Sequence, residues 1–302
     1  MQYIKGLENY VPNEPCAVTF GKFDGLHRGH RVLVDKVEEL AKKENLKGVV
    51  CAFDMNRQET LMTAEERRLY LEGKADCLVS CMFTKEFREL SAEAFIRDVI
   101  KGVFRADYVV VGTDFCFGHE KRGDIHMLAA YAGQYDYELI VMEKKRYQGR
   151  IISSTYIKET LQKGNVSDAS QMLGYDFGVR GTVEHGRRLG RTLGFPTMNV
   201  PWPEGKIAPP RGVYLCRTHV GGKCYDGIAN IGVKPTVSEE EALGIESFLF
   251  GYEGDAYEEE AHIELLAYVR PEKKFQDKEE LKRHVESDIA NARKYFEIKD
   301  EG

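Results

Sequence analysis

The apolar positions in the first half of the chain fall into short runs separated by stretches of helical period. Cys16–Phe20 is a compact apolar run ending at Gly21, and the residues after His30 put Leu33, Val37, Leu40 and Ala41 on one helical face. Gly48–Phe53 predicts a second strand. Thr63, followed three residues later by Glu66, predicts a capping box, and Gly73 is placed to close that helix. Cys77–Val79, Tyr108–Val111 and Glu138–Met142 predict further strands, with a helix capped by Ser91 and another near Asp124–Ala132 between them. Strands alternating with helices predict a parallel sheet wrapped by helices.

The pattern changes from about Asp176. Short strands are predicted at Phe177–Val183, Gly212–Val220, Lys223–Ile231, Ile245–Tyr252 and His262–Val269, with Gly221-Gly222 as a two-residue hairpin signal. Closely spaced antiparallel strands favour a small barrel or sandwich. One helix follows, opening at Asp277 with Glu280 three residues on and aligning Leu281, Val285, Ile289, Ala292 and Phe296. The polar stretch Lys163–Ala169 reads as the seam, which divides the chain into residues 1–168 and 169–302. There is no internal repeat and no low-complexity tract.

Composition agrees with two soluble domains. The 302 residues are about twice a typical single domain. The 43 basic and 49 acidic side chains leave a formal charge of −6, which disfavours nucleic acid as a partner. No stretch approaches the roughly 18 apolar residues that cross a bilayer, and Met1–Tyr10 lacks the charged-then-apolar pattern of a secretory signal. Seven scattered cysteines read as reduced thiols in a cytoplasmic protein. Cys77 and Cys81 are four apart, but no second Cys/His pair stands at zinc-ligand spacing, so they read as buried thiols. No pattern specifies an oligomer.

The first chemical motif is Gly21-Lys22-Phe23-Asp24-Gly25-Leu26-His27-Arg28-Gly29-His30, between a buried strand and an amphipathic helix. The carboxyl end of a parallel strand is where such sheets bind ligands. The free N–H groups and partial positive charge of the following helix suit a phosphate. Gly21, Gly25 and Gly29 let the backbone approach a nucleotide, while His27 and His30 can donate hydrogen bonds as charge builds on phosphorus. Ser153-Ser154-Thr155 with Lys158, read alone, is a helix cap, and its hydroxyls and N–H groups beside a lysine can equally hold a phosphate. Neither a P-loop nor a G-x-G-x-x-G motif is present.

The first motif resembles the nucleotidyltransferase signature of the prokaryotic bifunctional riboflavin kinase/FAD synthetase family. Val111-Gly112-Thr113-Asp114-Phe115-Cys116-Phe117-Gly118, with Lys121 after it, is similar to that family's flavin-side loop, and Ile152–Lys158 resembles its second phosphate-binding motif. In the second half, Gly190-Arg191-Thr192-Leu193-Gly194-Phe195-Pro196-Thr197-Met198-Asn199 resembles the riboflavin kinase signature. Gly227–Thr236 and Val269–Phe275 follow in the family's order. The resemblance runs from about Cys16 to Phe296.

It implies a Rossmann-like nucleotidyltransferase domain followed by a small antiparallel barrel with a C-terminal helix. It also implies ATP as co-substrate, Mg²⁺ as cofactor, and riboflavin, FMN and FAD as substrates and products. By the resemblance, Phe23 and Asp24 join the glycines and the serine–threonine cluster at ATP, with Asp114, Phe115, Phe117 and Lys121 on the flavin side. Gly190, Arg191, Gly194 and Pro196 cover phosphate, Thr197 and Asn199 hold Mg²⁺, Arg270 contacts flavin, and Glu246 is the base for the ribityl 5′-hydroxyl. Short of the family, Gly194–Thr197 is a strand-end turn and Glu246 a solvated strand carboxylate.

The chain departs from the family where Phe53-Asp54-Met55-Asn56 replaces a Pro-His-Pro segment, and where Tyr156 and Lys158 replace arginines. Phe248 and Gly251 replace a histidine and an acidic residue near Glu246. Two other readings therefore stand beside the bifunctional one: a kinase with a degenerate adenylyltransferase domain, and a non-catalytic flavin-binding regulator.

Overall fold

The computed structural model describes residues 1–55, 59–185, 195–235 and 241–300. Two compact units divide the chain, Met1–Ser154 and Thr155–Gly302.

The first unit is built on β1 (Gln2–Lys5), β2 (Cys16–Gly21), β3 (Lys47–Asp54), β4 (Cys77–Met82), β5 (Ala106–Gly112) and β6 (Glu138–Met142), all parallel, in the order β1-β4-β3-β2-β5-β6. Strands β2 to β4 are buried along almost their whole length, as expected for a sheet covered on both faces. Cys77 and Cys81 belong to that buried layer as free thiols. Helix α1 (Arg28–Glu44) presents the predicted face, with Leu33, Val34, Val37, Leu40 and Ala41 buried. Helix α2 (Ala64–Leu71) carries the capping box: Thr63 N donates to Glu66 Oε2 at 2.8 Å and Glu66 N to Thr63 Oγ1 at 3.1 Å. Gly73 turns the chain two residues after its end, at φ 79°. Ser91 caps a single turn that winds directly into a π-helix, Phe95–Val103. The strand order reverses between β2 and β5, so their carboxyl ends flank the crevice where an open α/β sheet takes its ligand.

A short hairpin, β7 (Arg146–Tyr147) and β8 (Arg150–Ile151), ends that unit. The second unit carries β9 (Gly178–Thr182), β10 (Met198–Pro201), β11 (Gly212–Val220), β12 (Lys223–Pro235), β13 (Glu241–Leu249) and β14 (Glu260–Pro271), all antiparallel, in the order β10-β13-β12-β11-β14-β9. A bridge between Glu184 and Asn199 brings the two edges together, making a nearly closed barrel. Gly221 and Gly222, at φ 56° and 71°, form the hairpin turn joining Val220 to Lys223. Strand β13 stops at Leu249 rather than Tyr252, because Gly251 turns away at φ 71°. The polar stretch Lys163–Ala169 runs into a helix, Val166–Leu173, whose Val166, Ala169, Met172 and Leu173 are buried at i, i+3, i+6 and i+7.

Along β13, Ile245, Ser247 and Leu249 are buried on one side, while Glu246, Phe248 and Phe250 lie on the other. Phe250 meets Phe296 of the C-terminal helix Lys278–Asp300 edge-on at 6.2 Å. Asp277 Oδ1 accepts from Glu280 N at 2.7 Å as the predicted cap. The helical stripe has two roles. Ala292 and Phe296 pack into a cluster with Val213, Leu215, Ile228 and Leu266, whereas Leu281 and Val285 line a cavity.

Candidate active sites

In the first unit the loop after β2 is held in a high-energy shape. Phe23, Gly25 and Leu26 all have positive φ, at 46°, 82° and 36°, a region that non-glycine residues avoid. Phe23 and Leu26 are fully buried, so apolar anchoring offsets the strain. Asp24 ties the loop down: its Oδ1 accepts from Leu61 N at 2.6 Å, and its carbonyl from Ser154 Oγ at 2.9 Å. The Ser153–Ser154 motif thus meets the histidine motif, and Thr155 and Lys158 continue from it in the helix Ser154–Gln162.

His27 is the N-cap of α1. Its Nδ1 accepts from His30 N at 3.3 Å, which assigns the ring proton to Nε2 in the neutral imidazole. The His27 and His30 rings stack at 3.7 Å and 16°. A Cβ at Gly29 would lie 3.1 Å from His27 Nδ1, so glycine leaves room for that stack. Burial pushes the His27 pKa down to about 4 against the opposing pull of Asp24, and burial with the His27 neighbour pushes His30 well below its usual range. Two neutral N–H donors result.

The unfolded chain therefore binds a proton at His27 between about pH 6.5 and 4 that the folded chain refuses, so stability falls as pH falls through that window. Its share is on the order of 3 kcal/mol. Trp202, the chain's single tryptophan, reports only on the second unit. Far-UV dichroism should thus show an acid-induced unfolding step that His27→Asn shifts to lower pH, while the acid response of Trp202 is the same in both proteins.

Across the crevice, the loop after β5 carries Asp114, exposed and paired with Lys144. Phe115 stacks on Phe117 at 5.6 Å and on Phe20 at 6.3 Å. Phe117 is buried against Phe95 at 5.1 Å, and Lys121 is exposed in a 3₁₀ turn. Lys144, two residues past β6, acts electrostatically on His27 as well as pairing Asp114. Its only sequence signal is that position beyond a strand's carboxyl end. Asp54, where the family has its histidine segment, accepts from Arg67 at 2.6 Å and from Ser80.

In the second unit, Glu246 stands half-buried on the wall of a cavity of about 300 Å³. Phe195, Val213, Ile228, Phe248, Leu281 and Val285 make its apolar lining. Glu246 lies opposite Asn199 in the β10–β13 register and opposite Asn230 in the β12–β13 register. Thr197 lines this cavity and also a smaller one of about 80 Å³, which Pro196, Asn199 and Tyr257 border. Arg270 reaches the larger cavity with its guanidinium held by Asp288, Nη2 to Oδ2 at 2.7 Å and Nε to Oδ2 at 3.1 Å. Gly190, Arg191 and Gly194 lie outside the described residues. Nothing in the sequence pattern signals Asp288. Leu281 and Val285 show there only as part of one apolar helical face, since a ligand-lining position and a core position have the same apolar character. The oxygen donors of Thr197, Asn199 and Glu246 suit a hard cation such as Mg²⁺.

Comparison with known proteins places each unit. A family model described as FAD synthetase matches residues 11–156, and one described as riboflavin kinase matches residues 173–296. A bifunctional riboflavin kinase/FMN adenylyltransferase of Escherichia coli (strain K12) is 33% identical over 98% of this chain and 98% of its own. One from Listeria monocytogenes is 33% identical over 92% of each chain. A crystal structure from Streptococcus pneumoniae, described as a macrolide-efflux protein, superposes with a TM-score of 0.84 at 28% identity, covering 95% of this chain and 97% of that one. Among the described residues here, no helix is long and apolar enough to cross a membrane. With a third of its residues shared with such relatives over nearly its whole length, and the two family models matching successive parts of it, this chain belongs to the bifunctional riboflavin kinase/FMN adenylyltransferase family.

Proposed function

We propose that the chain phosphorylates riboflavin to FMN in its barrel and then adenylylates FMN to FAD in its parallel-sheet domain, acting in the cytoplasm. The observation that carries this reading is the pair of cavities meeting at Thr197, with Glu246 on the wall of the larger, apolar one. An isoalloxazine ring system suits walls of Phe195, Phe248, Leu281 and Val285, and a triphosphate suits the smaller, more polar cavity. The ribityl 5′-oxygen attacks the γ-phosphorus of ATP, the bond to the bridging oxygen breaks, and ADP leaves. Glu246 takes the hydroxyl proton. Thr197 and Asn199 are the residues that would hold Mg²⁺, which neutralises phosphate charge when bound. Arg270, oriented by Asp288, borders the flavin.

In the first domain, taken as residues 1–168, the FMN phosphate is the nucleophile. It attacks the α-phosphorus of ATP and pyrophosphate leaves, so no side-chain nucleophile is needed. The α1 N-terminus and the Nε2–H of His27, with His30 stacked behind it, donate to the phosphate as charge accumulates. Gly21, Gly25 and Gly29 let the backbone close on the nucleotide, and Ser153, Ser154, Thr155 and Lys158 are the second phosphate motif that the family resemblance assigns to it. Phe115 meets the flavin, Phe117 supports it, and Asp114, Lys121 and Lys144 set the charge around the FMN phosphate.

Incubation with riboflavin, ATP and Mg²⁺ should give FMN first and FAD after it. One observation favours a kinase-only reading: Asp54, standing where the family has a histidine segment, is already engaged by Arg67 and Ser80. FMN that accumulates, with added FMN never becoming FAD, would establish that reading instead. No FMN at all would leave the non-catalytic one.

A further inference from the structure

Val213 of β11 lines the flavin cavity, Leu215 packs under the C-terminal helix, and His219, four residues further along the same face, is exposed. Six residues of strand put His219 about 20 Å from the flavin end. There three metal-ligating side chains converge. His219 and His262 of β14 are direct cross-strand partners, with rings stacked at 5.7 Å and 22°. Glu264, on the same face of β14, sets its Oε2 3.1 Å from His219 Nε2 and its Oε1 3.5 Å from His262 Nδ1. Cys224, the β12 partner of His219 across the hairpin, brings its Sγ to 3.9 Å from His219 Nε2.

We propose that His219, His262 and Glu264, whose donor atoms all lie within 4.8 Å of one another, bind a zinc-class divalent cation, with solvent completing its coordination. Bonds of about 2.0–2.2 Å in a tetrahedron put nitrogen and oxygen donors about 3.3 Å apart. The observed nitrogen–oxygen separations of 3.1 and 3.5 Å bracket that edge. Hydrogen bonding alone explains the His219–Glu264 contact but not the approach of His262 Nδ1 at 3.5 Å, which is too long for a good bond. Two imidazoles and a carboxylate select zinc, cobalt or nickel over magnesium and calcium, which want oxygen throughout.

Arg180 and Lys206 repel a cation, and Arg217 nearby is neutralised by Asp226 at 3.0 Å. The Glu264 carboxylate offsets that repulsion. Such a cation would fasten β11 to β14 at the end of the barrel away from catalysis.

The full chain, stripped with a chelator and titrated with zinc chloride under excess Mg²⁺, should bind one equivalent at this site. Loss of even an outer partner of a metal ligand costs about 10–100-fold in affinity, so His219→Gln and His262→Gln should each weaken zinc binding at least that far. His219 is exposed, so its replacement leaves the fold intact, and riboflavin phosphorylation should be unchanged in both variants. Equal zinc affinity in the parent and in His219→Gln would overturn the site.

Discussion

Glu246→Gln stops riboflavin phosphorylation, with kcat falling about a thousandfold, while FMN supplied directly still becomes FAD. The substitution keeps the size and shape of the side chain and removes its capacity to accept a proton. Glu246 sits on the half-buried side of β13, one residue from Ile245 and Ser247, which are fully buried in the barrel interior. A glutamine there leaves that interior untouched, so Trp202 fluorescence should report an unchanged barrel. The walls that would grip the ring system, Phe195, Phe248, Leu281 and Val285, are also unaffected. The loss should therefore appear in kcat, with the riboflavin KM within a fewfold of the parent's, as expected for a group that acts only in the transition state. A kcat within threefold of the parent's would remove Glu246 from the role of base. A parallel rise in KM with kcat unchanged would make it a binding residue instead.

The alternation of strands and helices and the strand-rich second half are legible because both rest on periodicity, which a sequence displays directly. The Thr63–Glu66 box and the Gly221-Gly222 turn are legible for a related reason: each is closed within four residues. Strands β1 and β10 escape because each has four residues, too few for a period. In β10, Met198, Asn199 and Val200 are all buried, so no alternation shows. The helix at Val166–Leu173 hides because serine, aspartate and glutamine interrupt its apolar face and make the stretch look like a seam.

The site divides along the same line. His27, Asp24 and Ser154 are visible as local motifs, but nothing local says that Ser154 will reach the Asp24 carbonyl across 130 residues. Asp288 and Lys144 become meaningful only through Arg270 and Asp114, whose side chains they hold. A carboxylate on an amphipathic helix looks the same in sequence whether it faces water or orients a guanidinium in a cavity wall.

His27→Asn should lower FAD formation from FMN and ATP by about a hundred- to a thousandfold while leaving riboflavin phosphorylation unchanged. His27 has two duties. Its Nδ1 caps α1 through His30 N, and its Nε2–H is the donor proposed for the phosphate. Asparagine is itself a good N-cap, so it retains the first duty and loses the second. His27→Ala loses both, and should add a stability loss of about 1 kcal/mol to the same catalytic defect. If the histidine served only to start the helix, asparagine would restore FAD formation and alanine would not. Because burial keeps the imidazole neutral down to about pH 4, its donor is present across the whole neutral range. FAD formation by the parent should accordingly show no loss of rate between pH 6.5 and 8 from deprotonation of this group. A rate that falls through that range in the parent, and is flat in His27→Asn, would mean that the working form is the imidazolium and that ATP binding raises the pKa. A His27→Asn rate within threefold of the parent's would take the ring out of the chemistry and leave the α1 N–H groups as the phosphate's principal donors.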